Sequence, residues 1–334
     1  MKFTSSLKLK LIYVFRINDA AHKGCLKVGE ATCDNDSVSG LGPNSKALNE
    51  SAKKRINQYT QTAGIAYDLL YTELTIYNSK KGLCSFNDKE VHNVLERSGI
   101  RKKVFDTENK ANEWFITDLE TVKRAIAAVK EGRESLTSTE ISHDKTPIAF
   151  RPEQREAIEK TKKQFKKGNQ MLWNAKMRFG KTLSALQVVK DMDFGRTLIL
   201  THRPVVDSGW FEDFGKIFYD SPSFAYGSKN NGDSHASLET RAKRGQCKVC
   251  LFRLHAGLAW LGTGRWQLRQ DNEVFATAWD CIIVDEAHEG TQTELGKAVM
   301  QELTKDKTKI LRLRVHLSTY WMISRMKKSI HGTM

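Results

Sequence analysis

The sequence predicts an α/β chain in which a parallel-sheet domain follows a smaller α+β domain, and three observations predict it. An apolar run, Met171-Leu172-Trp173, enters the tight loop Asn174-Ala175-Lys176-Met177-Arg178-Phe179-Gly180-Lys181-Thr182 and leaves as the helix-like Leu183 to Val189. Two further runs, Thr197-Leu198-Ile199-Leu200 and Cys281-Ile282-Ile283-Val284, are uninterrupted rather than alternating, as strands buried on both faces are. Upstream, Leu11 to Ile17 and Cys25 to Glu30 are β-branched and aromatic runs around a polar turn, which is the pattern of a hairpin.

Composition sets outer limits. The 334 residues are 40% hydrophobic and 28% charged, as in globular proteins, and leave room for two cores. No apolar run approaches membrane-spanning length, because Lys8 and Lys10 interrupt the early stretch to Phe15, so no membrane partner and a cytoplasmic location are expected. Six cysteines are too few for a disulfide scaffold in a chain this long, and Cys247 and Cys250 form a lone C-x-x-C without the second pair a zinc site needs. A net charge of +15 suits either a polyanionic partner or a solubilising surface.

The first domain is expected over residues 1–129. After the hairpin, Ser51 to Tyr59 carries Lys53, Lys54 and Arg55 at helical spacing, and Asn87 to Glu96 reads as a helix capped by Asn87 or Asp88. Glu113-Trp114-Phe115 starts another short element. Tyr13, Lys27-Val28-Gly29, Arg55, Glu90 with His92 near it, and Glu113-Trp114-Phe115 resemble the phage-type branch of the GIY-YIG nuclease superfamily. The resemblance implies that Tyr13 activates water, Arg55 stabilises the phosphate and Glu90 holds a divalent metal, a division suited to phosphodiester hydrolysis. Leu11 and Lys27 depart from the family's first glycine and second tyrosine. An active nuclease, a DNA-binding module on the same fold and a plain α+β domain therefore stay open. His92 alone reads as a packed or solvated histidine.

A polar stretch, 130–147, is expected as the linker, and 148–313 as the second domain. A loop between a buried strand and a helix wraps phosphates with backbone N–H groups and the helix dipole. In such a loop Gly180 permits close approach, Lys181 supplies a cation for the β- and γ-phosphates and Thr182 offers a hydroxyl to Mg²⁺, while Ala175 stands where G-x-x-x-x-G-K-[ST] has its first glycine. Thr201 and Arg203 follow the strand Thr197 to Leu200, at the edge where parallel sheets place their ligands. Asp285 and Glu286 leave the next buried strand together, which is costly unless a cation or an activated water uses them.

Gly180-Lys181-Thr182 followed about a hundred residues later by Asp285-Glu286-Ala287-His288 resembles the first RecA-like domain of superfamily 2 helicases, a P-loop NTPase fold, especially those joined to restriction and phage-related nucleases. The resemblance covers about Phe150 to Leu313. It implies ATP and Mg²⁺ as cofactors, with Asp285 on the metal, Glu286 on the attacking water, His288 coupling the nucleotide to neighbouring elements and Gln154, after Phe150-Arg151-Pro152, reading adenine. It also implies nucleic acid as partner, DNA ahead of RNA, with Thr201 and Arg203 facing it, and restriction or phage-defence subunits.

Two stretches read as out of frame. In the family a strand ending in S-[AG]-T should follow Lys309 to Leu313, yet the chain continues Arg314-Val315-His316-Leu317. Restoring one base there in a permitted back-translation yields L-S-G-T-P-F-N-L-L-D-D. Removing one near Val249 turns the start of residues 250–270, which make no clear element as written, into A-Y-F-A-S-M-Q. The expectation is therefore a frameshifted, truncated reading frame with 314–334 as an out-of-frame tail. Arg253, Arg265, Arg269, Arg314, Arg325, Lys327 and Lys328 come from these stretches without any acid, so they supply 7 of the +15 and leave +8. The function expected is that of an ATP-dependent helicase or translocase whose second RecA-like domain, and its arginine finger, are missing, so that the chain binds ATP·Mg but hydrolyses it slowly. The rivals are a GIY-YIG-type metal-dependent endonuclease and a non-catalytic or decayed DNA-binding product.

Overall fold

The computed structural model describes residues 8–33, 38, 40–61, 63–79, 82–105, 113–141, 148–201, 203–254, 272–286, 294–315 and 322–324. The chain divides into two compact units, one of Met1–Leu136 with Glu140–Ser142, the other of Thr137–Thr139 with His143–Met334.

The first unit runs β1 (Lys10–Arg16), β2 (Cys25–Thr32), α1 (Lys46–Thr60), β3 (Asp68–Leu74), β4 (Ile76–Ser79), β5 (Gly82–Ser85), α2 (Asp88–Arg97), β6 (Trp114–Ile116) and α3 (Leu119–Lys130). Its antiparallel sheet has the order β3-β1-β2-β6, and β4 and β5 form a separate hairpin. Every residue from Leu11 to Phe15 is buried, because β1 is central and covered on both faces. Leu11, Tyr13 and Phe15 meet Leu48, Ala52 and Ile56 of α1 in one core. The opposite side receives α2, whose His92 puts Nε2 2.9 Å from the Val28 carbonyl and its ring 5.1 Å from that of Phe115. His92 is thus a packed histidine.

Local chemistry starts the helices. Asn87 and Glu90 close a reciprocal capping box on α2, and Asp118 accepts from the Thr121 amide to begin α3. The stretch expected as a linker is partly ordered packing. Lys130 ends α3, Arg133 grips Glu140 with two bonds of 2.8 and 2.9 Å, and Leu136 and Ile141 are buried. The polar residues up to Glu140 therefore belong to a paired turn, and 142–147 lie outside the described residues.

In the second unit come α4 (Pro152–Lys167), β7 (Gln170–Ala175), α5 (Lys181–Met192), β8 (Arg196–Thr201), a 3-10 turn (Pro204–Val206), α6 (Asp207–Ile217), β9 (Phe224–Gly227), α7 (His235–Lys243), β10 (Lys248–Leu254), α8 (Asn272–Ala276), β11 (Cys281–Val284), α9 (Glu294–Leu303), β12 (Lys309–Val315) and β13 (Met322–Ser324). Their sheet has the order β13-β7-β12-β11-β8-β10-β9, six strands parallel and β13 antiparallel on β7. This is an α/β fold with a RecA-like parallel sheet. The period of two sorts each strand between two cores. Ile199, Ile283 and Leu311 join Leu186, Val189, Trp210 and Phe214 on one face, whereas Leu198, Leu200, Ile282, Val284 and Ile310 join Leu238, Val299 and Leu303 on the other.

The same alternation corrects the reading of residues 250–270. Cys250 and Phe252 enter the first core and Leu251 the second, while the strand pairs with β8 up to Leu254↔Thr201. Cys250 to Phe252 is therefore ordinary buried strand, Arg253 and Leu254 end it half-buried, and residues 255–270 lie outside the described ones. Arg314 and Val315 likewise continue β12, opposite Asn174 and Ala175, and Met322 to Ser324 pair with β7.

Candidate active site

Parallel pairing brings the carboxyl ends of β7, β8 and β11 to one edge of the sheet, since Val284 lies beside Leu200 and Arg312, and Val315 beside Ala175. Ala175 is the last residue of β7 and 2% exposed. The backbone enters the left-handed region only later, at Arg178 (φ 60°) and Gly180 (φ 80°). Ala175 thus stands in extended strand, where a glycine is not required. Phe179 anchors the loop, its ring edge-on to Trp173 at 6.3 Å. α5 then starts at Lys181 with no side-chain cap, so its first-turn N–H groups face the loop.

Gln154 holds this loop from outside. Its Nε2 donates to the Phe179 carbonyl at 2.7 Å, its Oε1 accepts from the Arg151 amide at 2.8 Å, and it is 7% exposed. Arg151 adds Nη2 bonds to the carbonyls of Phe179 (2.6 Å) and Arg178 (3.1 Å). A Cβ on Gly180 would meet Gln154 Nε2 at 2.6 Å. The glutamine expected to read adenine is, in this structure, committed at both ends to backbone, and it braces the loop.

At the head of α5, Lys181 Nζ lies 3.2 Å from Glu286 Oε1 and 3.7 Å from Asp285 Oδ1. Glu286 sits in the left-handed region (φ 53°), so the chain turns sharply as β11 ends and presents both carboxylates to one ammonium. Asp285 is 7% exposed; burial raises its pKa, against the opposing pull of Lys181 and a hydrogen bond from Trp210. Trp210 Nε1 donates to Asp285 Oδ2 at 3.3 Å. Thr182 follows in the first turn of α5, half-buried.

Thr201 ends β8, is 1% exposed and accepts from the Arg203 amide at 3.2 Å, while the Arg203 side chain is exposed. His288 lies outside the described residues. Two members of the site were missed from the sequence. Arg151 had a signal, its place beside Pro152 at the start of α4; Trp210 had none, because only folding brings it to Asp285.

In the first unit Tyr13 and Tyr59 face each other, hydroxyl to hydroxyl at 3.4 Å. Lys27 Nζ lies 4.4 Å from the centre of the Tyr59 ring and 3.2 Å from Glu113 Oε2. Burial raises the pKa of both tyrosines, and the Arg55 charge opposes it. Arg55 donates to Gln58 at 2.7 Å. Gly29 pairs with Tyr13 across β2 and β1, and a Cβ there would meet the Tyr13 ring at 2.6 Å. Glu90 Oε2 accepts from the Asn87 amide at 2.9 Å. The helix start claims Glu90, since its N–H groups would otherwise lack partners. Tyr59 was missed: its spacing of four from Arg55 places it on the same face of α1, but only the fold brings it to Tyr13.

Among the described residues no three His, Cys, Asp or Glu side chains cluster to hold a metal, and no helix is long and apolar enough to cross a membrane. Burial raises the thiol pKa of Cys247.

The sequence model of the family described as "Type III restriction enzyme, res subunit" matches residues 147–314, half of the chain. No curated protein matches. Among solved structures, the Sulfolobus solfataricus SWI2/SNF2 ATPase core in complex with dsDNA aligns at 20% identity and TM-score 0.37, covering 52% of this chain and 33% of that one. A nuclease-deletion mutant of the Type ISP restriction-modification enzyme LlaGI in complex with a DNA substrate mimic aligns at 16% identity and TM-score 0.37, covering 55% and 19%. The Type ISP enzyme LlaBIII bound to DNA aligns at 16% identity and TM-score 0.36, covering 53% and 13%. This chain therefore spans a third or less of the length of each.

Proposed function

This chain belongs to the family of type III restriction enzyme res subunits, and from that premise we propose that residues 148–313 are the ATP·Mg-binding, RecA-like part of a superfamily 2 enzyme that moves along DNA. One observation carries the reading: Lys181, Asp285 and Glu286 converge, from elements far apart in sequence, on one point beside the loop Asn174 to Thr182. Two neighbouring carboxylates at the end of one strand, 3.2 and 3.7 Å from a single ammonium, are a donor set of the kind a divalent cation and its waters take. The cradle fits the triphosphate as well, because α5 opens without a side-chain cap and leaves its first-turn N–H groups to the loop.

When bound, Mg²⁺ would neutralise charge on the phosphates. In this reading Asp285 and Thr182 hold the cation, Lys181 leaves the carboxylates for the phosphate oxygens, and Glu286 orients a water. Arg203, exposed at the same edge, faces the DNA, with the buried Thr201 holding its backbone amide, and His288 couples the two ligands. The test is binding of a fluorescent ATP analogue to the full chain. Lys181→Ala should abolish Mg²⁺-dependent binding, and undiminished binding by that variant would sink the assignment.

For the first unit we propose a phosphodiester-cleaving role, favoured by the Tyr13–Tyr59 pair flanked by Lys27, Glu113 and Arg55. Mg²⁺-dependent nicking of plasmid DNA should vanish in Tyr13→Phe and Arg55→Ala and survive in Lys181→Ala. Loss with Lys181→Ala alone would assign the cutting elsewhere. Of the two frame changes the later one remains part of the reading, and the end of the family match at residue 314 supports it.

A further inference from the structure

Trp210 is 1% exposed and belongs to α6, the helix that follows the strand-end segment Thr201 to Val206. A buried indole N–H needs an acceptor, and here the acceptor is the acid at the end of β11, two strand ends of the sheet being joined through a helix. The two oxygens of Asp285 are divided. Oδ2 takes Trp210 at 3.3 Å, whereas Oδ1 takes the Glu286 amide at 3.1 Å and faces Lys181 at 3.7 Å. The carboxylate is thereby fixed in rotation, with Oδ1 turned toward the loop.

One turn earlier α6 is clamped a second time. Asp207, 6% exposed, accepts from Tyr226 Oη at 2.9 Å, Ser228 Oγ at 2.8 Å and Asn231 Nδ2 at 3.2 Å, all on β9 and the turn after it. That turn is closed by backbone bonds from Ser228 to the Asn231 carbonyl (2.8 Å) and from Asp233 to the Tyr226 carbonyl (2.9 Å), and it packs so tightly that a Cβ on Gly232 would meet the Tyr226 carbonyl oxygen at 2.1 Å. Residues three apart share a helix face, so Asp207 and Trp210 tie the β9 turn and Asp285 to one rod.

We infer that Trp210 is a positioning residue for Asp285, holding the carboxylate in the orientation that receives the metal, and that α6 links this orientation to the strand-end turn after β9. The inference rests on the ATP·Mg reading of the site. It is tested on the full chain by titrating Mg²⁺ against binding of a fluorescent ATP analogue. Trp210→Phe keeps the ring and removes the donor. It should need about tenfold more Mg²⁺ than the parent for the same tightening of the analogue. In the Asp285→Ala background the Trp210→Phe change should add nothing. An unchanged Mg²⁺ requirement in Trp210→Phe overturns the inference alone. A parent chain that binds no analogue, or a Lys181→Ala variant that binds as well as the parent, overturns the site reading and the inference with it. A second measurement leaves Trp210 in place. With ¹⁵N-labelled tryptophan, Asp285→Ala should shift one indole N–H signal, the one missing from Trp210→Phe, and failure of every indole signal to move overturns the inference even where Trp210→Phe does not fold.

Discussion

Replacing Gly180 by alanine probes the brace on the phosphate loop, and its cost can be worked from two separate sources. The residue sits at φ 80°, where an L side chain pays roughly 1–2 kcal/mol for the left-handed backbone. Its new Cβ would also lie 2.6 Å from Gln154 Nε2, so the amide must leave and forfeit its 2.7 Å bond to the Phe179 carbonyl. A lost bond that strands a buried polar group costs about 1–2 kcal/mol; the carbonyl keeps Arg151, so the loss falls on Gln154. The sum is about 3 kcal/mol, which lowers Tm by roughly 6–12 °C in a unit of this size. Calorimetry of the full chain reads it. In a Gln154→Ala background the collision disappears and Gly180→Ala should cost only the backbone share, about half as much. Equal costs in the two backgrounds would refute the brace, because they would leave the backbone as the sole source.

Three further outcomes follow from the geometry. Asp285 has its pKa raised by burial, so the folded chain holds the proton more tightly than the unfolded one; the stability this confers is present below about pH 3.8 and lost as pH rises through the raised value. Relative to the parent, Asp285→Asn, whose single amide oxygen can serve Trp210 or the Glu286 amide but not both, should therefore gain Tm as pH rises from 4 to 7 in the absence of nucleotide; a difference independent of pH would contradict the assignment. Gly29→Ala drives a Cβ to 2.6 Å from the Tyr13 ring, which is 3% exposed and has nowhere to retreat, so it should destabilise the first unit by about 1–3 kcal/mol in urea unfolding. Sequencing the locus from Lys248 onward should reveal a base change near residue 314, and an intact frame there would remove that reading.

Much of the site was legible because its demands are local. A loop that turns left-handed at Gly180 needs a residue without a side chain, and a strand buried on both faces needs Cys281 to Val284 apolar whatever packs on them. Two acids ending such a strand announce themselves by their cost. The start of α2 was legible in part: Asn87 as cap was readable, whereas the bond that Glu90 returns to the Asn87 amide was not read from the sequence. Residues 250–254 were misread because an apolar run followed by Trp, Gly and Arg carries no clear period until neighbouring strands supply the partners.

By itself, then, the sequence determined the order of strand, loop and helix and the identity of Lys181, Asp285 and Glu286, since backbone sterics and the cost of buried charge act within a few residues. Tertiary structure alone decided that Gln154 braces the loop rather than standing open, that Tyr59 meets Tyr13 and that Trp210 reaches Asp285. Those contacts join elements 25, 46 and 75 residues apart, and distance in space between such elements is set by how the sheet and its helices pack, which no local pattern encodes.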